Sequence, residues 1–138
     1  MKLKIIGGIC LVIFAMIYSC QSDSSIEFDR YFSSGRLVYQ NHCQNCHSAK
    51  GEGLAALIPA LSDSIFLRSN RKNLVCIVNN GTKDKLTVAG KAFENQMPAA
   101  GLTPIEVAQV LTYITNSFGN KQGIYPVDDV NTQLTNCR

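Results

Sequence analysis

Two cysteines and a histidine stand close together in the segment Cys43-Gln44-Asn45-Cys46-His47. Cysteines three positions apart lie about one helical turn apart, so both thiols can form thioethers with the two vinyl groups of one porphyrin. The histidine that follows can then turn its imidazole onto the iron. This Cys-x-x-Cys-His spacing is the attachment signature of a c-type haem. We therefore predict one haem c, with Cys43 and Cys46 as its covalent tethers and His47 as the proximal ligand of its iron.

The same cysteine pair has two other interpretations, a redox-active dithiol and half of a zinc site. A dithiol of the thioredoxin type would accompany a strand-helix-strand pattern, and a zinc site would need a second pair of cysteine or histidine ligands. The sequence around the motif contains neither pattern. The spacing therefore favours haem attachment.

Residues 1–19 have the pattern of an export signal. Lys2 and Lys4 precede an almost wholly apolar run, 5–18, which is short for a membrane span and typical of a secretory signal. The signal occupies part of a 138-residue chain, which leaves room for one compact domain.

The end of this signal, Ile17-Tyr18-Ser19-Cys20, resembles the lipoprotein box of bacteria. The resemblance implies cleavage before Cys20 and acylation of that cysteine, and two or more acyl chains would anchor the protein stably. We therefore expect an exported lipoprotein on a membrane facing the periplasm, with residues 20–28 as a flexible tether. The alternative is an uncleaved anchor with a fortuitous cysteine.

Net charge excludes one class of partner. The formal charge of +3 falls to +1 because Lys2 and Lys4 leave with the signal. A protein that binds nucleic acid needs a clustered basic face. We therefore predict no nucleic-acid partner.

Two cysteines remain after the other four are assigned. Cys10 leaves with the signal, Cys20 takes lipid, and the haem motif uses two more, which leaves Cys76 and Cys137 in an oxidising compartment. A disulfide between them would pin the C-terminal tail, 121–138, to the domain. The alternative is two independent free thiols.

Helical patterns flank the haem motif. Apolar spacing over 29–41 predicts an amphipathic helix that leads into the motif, with Gly35 on its inner face. Glycine destabilises a helix interior, so close approach of a second helix is the expected reason for it. The segment Thr103-Pro104-Ile105-Glu106 predicts the start of that second helix, with an N-cap, a proline at N1 and a capping-box glutamate. We expect a shorter helix over 71–79 and irregular structure over 82–96.

Taken in order, these features resemble a class I monohaem cytochrome c over about residues 31–120. The matching features are Gly35 and Tyr39, Gly51 and Gly53, Pro59, the helix end at 78–81, Met97-Pro98, and the final helix that follows Leu102-Thr103. The resemblance implies an all-α class I cytochrome c fold, in which three to five short helices wrap around one covalently bound haem. The domain would span 29–120.

Few groups in the mature chain can supply the sixth ligand of the iron. His42 adjoins the first cysteine tether and cannot reach the opposite face of the haem, and two of the three methionines leave with the signal. Met97 remains, with Pro98 to stiffen its loop. A lone methionine often fills a core, but the Met-Pro context, the lack of rivals and the resemblance together predict that Met97 ligates the iron.

The resemblance also gives Pro59 a role. Its backbone carbonyl matches the position that accepts a hydrogen bond from Nδ1 of the proximal histidine, which fixes the tautomer of that ring and tunes its basicity. The alternative is an ordinary loop proline.

An iron with both axial positions filled has no site for a small-molecule substrate. We therefore predict an electron carrier, not an enzyme, that works between redox protein partners of a respiratory chain. Lys83, Lys85 and Lys91 are candidates for steering an acidic partner, and a solvated face is their alternative. Two other functions stay open, namely a haem subunit of a larger reductase or oxidase, and a gas-sensing or peroxide-reacting haem protein.

Overall fold

The computed structural model describes Ile6, Gly8 and residues 23–137. The rest of the predicted signal and Cys20 lie outside the described residues. Within them the order is α1 (Asp23–His42), α2 (Gln44–His47), α3 (Ser64–Ser69), α4 (Leu74–Asn80), β1 (Leu86–Val88), β2 (Lys91–Phe93), α5 (Pro104–Ile114) and α6 (Val127–Leu134). None of the helices in this part of the chain combines the length and the apolar character that crossing a membrane requires.

This mostly helical fold is compatible with the all-α prediction, and it differs from that prediction in two details. The stretch predicted to be irregular contains the antiparallel hairpin of β1 and β2. The described residues contain six helical segments, more than the three to five predicted, because α3 and α6 were both missed. Asp63 caps α3 by accepting hydrogen bonds from the backbone N–H groups of Ile65 and Phe66, at 3.0 and 3.1 Å.

Helices α1 and α5 cross at Gly35, as the sequence predicted. A Cβ at that position would collide with the backbone carbonyl of Gln109 in α5. Aromatic rings fill the space beside the crossing, where Tyr113 lies 5.2 Å from Phe32 and 5.3 Å from Tyr39 between ring centroids. This crossing fixes the end of α1 that leads into the haem motif.

The predicted capping box opens α5. The Glu106 carboxylate accepts hydrogen bonds from the backbone N–H of Thr103 at 2.9 Å and from its hydroxyl at 2.6 Å. These hydrogen bonds hold the pKa of Glu106 below its usual range. Pro104 takes the first helical position, where its missing N–H costs nothing.

The described part of the predicted tether is helical, since α1 begins at Asp23 and not near residue 29. Two features of the sequence favour this earlier start. Phe28 stacks on Phe32 one turn later, with ring centroids 5.8 Å apart. Asp23 also places a negative charge in the first turn, where the helix dipole favours it.

The C-terminal tail is a packed part of the domain. We call residues 120–137 the C-terminal clasp. Cys137 forms a disulfide with Cys76 of α4, with Cα atoms 5.3 Å apart. Tyr125 and Val130 are buried, and the Arg71 guanidinium lies 4.1 Å from the centroid of the Tyr125 ring. The clasp therefore combines a covalent bond with buried side chains.

Candidate functional site

The haem motif lies at the end of α1, where the chain turns into α2. The backbone N–H of Cys43 donates to the carbonyl of Tyr39 at 2.9 Å, and the N–H of His47 donates to the carbonyl of Cys43 at the same distance. Cys43 is half-buried and Cys46 is exposed, and both are free thiols. Burial, and to a lesser degree the neighbouring Cys46, raises the pKa of Cys43 to about 11.

The imidazole of His47 is buried and oriented by one hydrogen bond. Its Nδ1 lies 3.2 Å from the backbone carbonyl oxygen of Pro59. A carbonyl can only accept, so Nδ1 carries the hydrogen and Nε2 keeps its lone pair. Burial lowers the pKa of His47, and the hydrogen bond to Pro59 opposes that effect. A neutral ring with a free Nε2 is the form that can bind a metal.

Two adjoining spaces open beside His47, and we call them together the cleft. His47, Pro59, Leu86 and Met97 line both spaces. Apolar side chains supply most of the other walls, among them Leu61, Phe66, Leu67, Leu74, Ile77, Val78, Val88, Phe93, Leu111 and Ile114.

Met97 reaches the cleft from a segment that we call the distal loop, residues 81–98. Its backbone pairs with Thr82, since the Thr82 N–H donates to the Met97 carbonyl at 2.8 Å and the Met97 N–H donates to the Thr82 carbonyl at 3.0 Å. Gly81 has a φ of +72° and lies so close that a Cβ would collide with the Met97 carbonyl. Only glycine satisfies both conditions without strain.

The residues around the cleft fit a covalently held haem. The cleft brings together the two thiols of the motif, an imidazole with a free Nε2 and one thioether sulfur. An imidazole and a thioether are the axial ligands of electron-transferring c-type haems. His42 is exposed and does not line the cleft. The described residues, 6, 8 and 23–137, contain no cluster of three or more His, Cys, Asp or Glu side chains that could hold a separate metal ion.

The sequence did not point to the residues that position the distal loop. Thr82 pairs with Met97, and Asn95 Nδ2 donates to the carbonyl of Leu57 at 3.1 Å, which joins this loop to the opposite wall of the cleft. The sequence places Gly81 at the end of a helix and gives no sign of its contact with Met97. Long-range pairing of this kind leaves no local pattern in a single sequence.

The three lysines proposed for steering lie on or beside the hairpin and are exposed. Lys85 forms an ion pair with Glu94, with nitrogen and oxygen 3.7 Å apart. Asp84 follows Lys83 directly. Two of the three basic charges therefore stand next to acidic ones.

The family model of cytochrome c matches residues 32–117, from the middle of α1 to just beyond α5. The matched part is more than half of the chain and contains every residue that lines the cleft. No curated protein matches the chain.

Proposed function

The chain belongs to the cytochrome c family, and from that membership we propose that it carries single electrons on one haem c held by Cys43 and Cys46. Members of the family transfer electrons on a covalently attached haem and work with redox protein partners. In this proposal His47 and Met97 are the two axial ligands of the iron. When bound, the haem supplies one reversible electron at its iron.

One observation carries the ligand assignment. The hydrogen bond from His47 Nδ1 to the Pro59 carbonyl leaves Nε2 free, and Met97 lines the same cleft. The carbonyl of Pro59 prevents rotation of the imidazole and holds its proton at Nδ1. Thr82 holds the backbone of Met97 through two hydrogen bonds. Thioether ligation raises the reduction potential relative to two imidazoles because it favours ferrous iron.

The proposed ligands favour electron transfer over conversion of a substrate. With His47 and Met97 both bound, no axial position stays open for a small molecule. Apolar side chains supply most of the walls of the cleft, and the exposed position of Cys46 marks its solvent side. Electrons therefore pass to and from a partner that docks at this side.

We further propose that Cys20 is acylated and that the protein stays on a membrane facing the periplasm. Only Gln21 and Ser22 separate Cys20 from the start of α1 at Asp23. Replacing Cys20 with Ser should release the protein from isolated membranes. Retention of the C20S protein would favour an uncleaved anchor.

Visible spectroscopy of the haem-loaded protein tests the proposed electron carrier. We expect a c-type reduced spectrum, a weak long-wavelength iron–sulfur band in the oxidised protein, and no change when carbon monoxide is added to the reduced protein. The Met97→Ala variant is the control, and it should lose the band and bind carbon monoxide. Ready binding of carbon monoxide by the wild type would contradict the proposal and favour a gas-binding protein.

A further inference from the structure

The two rims of the cleft carry no charge. One rim is the segment 53–62, of which 57–61 line the cleft, and the other is the segment 95–105, of which 95–98 line it. Neither segment contains Asp, Glu, Lys, Arg or His, although acidic residues flank both of them. The hydrogen bond from Asn95 to the Leu57 carbonyl joins the two rims on one side of the cleft. We call these two segments together the neutral rim.

Part of the neutral rim is apolar and faces solvent. Leu54 is 54% exposed, and Ala55, Ala56 and Ala99 are also exposed. None of these four side chains lines the cleft. A group seated in the cleft would therefore leave them at the surface, where they can contact a partner.

The charges outside the rim nearly cancel. Lys83, Lys85 and Lys91 lie on or beside the hairpin, together with Asp84 and Glu94. Lys85 and Glu94 are paired at 3.7 Å, although both are well exposed, so the pair contributes little to stability. One net positive charge is a weak source of steering, because strong steering needs a field of one sign over a whole face.

We infer that the neutral rim docks an electron-transfer partner whose own docking face is apolar and uncharged. This inference rests on the proposed function, because it assigns the partner of the same cleft. Burial of Leu54 and the alanines beside it supplies the attraction, since apolar area removed from water stabilises a complex. Association without steering is slow, with rate constants of about 10⁵–10⁶ M⁻¹s⁻¹, and depends little on salt.

Two leucines of similar exposure allow a matched test. Leu54 lies on the neutral rim and is 54% exposed, whereas Leu37 lies on α1, does not line the cleft and is 61% exposed. Leu54→Glu and Leu37→Glu change the net charge equally, and only the first places a carboxylate on the rim. A third variant replaces Lys83, Lys85 and Lys91 with Gln.

The measurement is the rate at which native membranes of the source organism oxidise or reduce each haem-loaded protein. It is made at about 10 mM and about 150 mM NaCl, between which the Debye length falls from about 30 Å to about 8 Å. Reduction of each variant by ascorbate shows whether its haem stays intact. Gel filtration shows whether the wild type forms dimers.

The inference predicts that the wild-type rate changes less than about twofold between the two salt concentrations. Leu54→Glu should slow the reaction by about tenfold or more, as truncation of an interface anchor does, whereas Leu37→Glu and the lysine variant should stay within about twofold of the wild type. If the rate of electron exchange falls steeply with salt, or with loss of the lysines, the inference is overturned in favour of an acidic partner.

Two further outcomes would also overturn it. A wild-type dimer that Leu54→Glu abolishes would assign the neutral rim to a second copy of the chain. Failure of the wild type to exchange electrons with the membranes at either salt concentration, with normal reduction by ascorbate, would contradict the proposed function itself. A rate that depends on salt would overturn only the choice of partner. Failure of this inference can therefore be distinguished from failure of the proposed function.

Discussion

The distal loop and the C-terminal clasp adjoin the same helix, α4, but different interactions hold them. The distal loop follows α4 directly and depends on the two backbone hydrogen bonds between Thr82 and Met97, with a short hairpin between them. The clasp is held by a disulfide and by two side chains, Tyr125 and Val130, that are at most 1% exposed.

Because of this difference, the two regions have different roles: the clasp supports a wall of the cleft, and the distal loop positions Met97. Helix α4 turns Leu74, Ile77 and Val78 toward the cleft and is bonded to the clasp through Cys76. The clasp is therefore bonded to one wall of the cleft, whereas the distal loop carries the proposed ligand Met97. The distal loop positions Met97, and we expect it to contribute less than the clasp to the stability of the whole domain. Substitutions in the two regions should change different measurements.

Removal of the disulfide should have the largest effect on stability. The Cys76→Ser/Cys137→Ser double variant frees two positions that are 61 residues apart in the sequence. In the chain-entropy model such a bridge contributes about 4 kcal/mol to the free energy of unfolding. Urea unfolding should show a loss of this size, while the iron–sulfur band of the folded haem protein stays unchanged. Loss of the band in the folded variant would contradict the separation of tasks.

Gly81→Ala should act on the ligand and, to a smaller extent, on stability. The new Cβ collides with the Met97 carbonyl and requires a φ of +72°, which costs about 1–3 kcal/mol. We expect the reduced variant to bind carbon monoxide, because the displaced loop no longer holds Met97. Carbon monoxide binding and urea unfolding are measured together.

Gly90→Ala is the matched control for that substitution. Gly90 also has a φ of +72°, and nothing lies within 4 Å of a Cβ built there. It should lose a similar amount of stability from backbone strain and still exclude carbon monoxide. If both variants bind carbon monoxide equally well, the close approach of Gly81 to Met97 does not position the ligand.

Tyr125→Phe should have the smallest effect at neutral pH. The Tyr125 hydroxyl donates to the backbone carbonyl of Arg71, and loss of one hydrogen bond costs about 1 kcal/mol. Burial raises the pKa of Tyr125 to about 12, whereas an unfolded tyrosine titrates near about 10. The neutral hydroxyl therefore stabilises the fold fully below pH 10, and this contribution is lost as the pH rises toward 12.

The stability difference between the wild type and Tyr125→Phe should therefore shrink above pH 10. Urea unfolding at several pH values measures it. A difference that stays constant up to pH 12 would show that the ionisation of Tyr125 is not linked to folding.

The parts of the fold that the sequence predicted have local signals. The capping box at Thr103 and Glu106, the glycine at the helix crossing and the Cys-x-x-Cys-His motif each occupy a few adjacent positions. The six-residue α3 also has a local signal, because Asp63 caps its first turn. The hairpin, by contrast, depends on pairing across a loop and on burial of Val88 and Phe93. No local pattern in the sequence indicates either of these.

The clasp shows a second limit of prediction. The cysteine count suggested that Cys137 would pin the tail, but not that Tyr125 would be buried against Arg71. The C-terminal segment is polar overall, and its helix α6 buries only Val130. A single apolar contact of this kind is decided by the tertiary structure and not by helical periodicity.

X-ray absorption at the iron edge of the oxidised, haem-loaded protein tests the central claim most directly, because it counts the sulfur atoms bound to iron. The thioether sulfurs of Cys43 and Cys46 are bonded to the porphyrin and do not contribute. We predict one sulfur ligand in the wild type and none in Met97→Ala. No sulfur ligand in the wild type, or a sulfur ligand that persists in Met97→Ala, would contradict it.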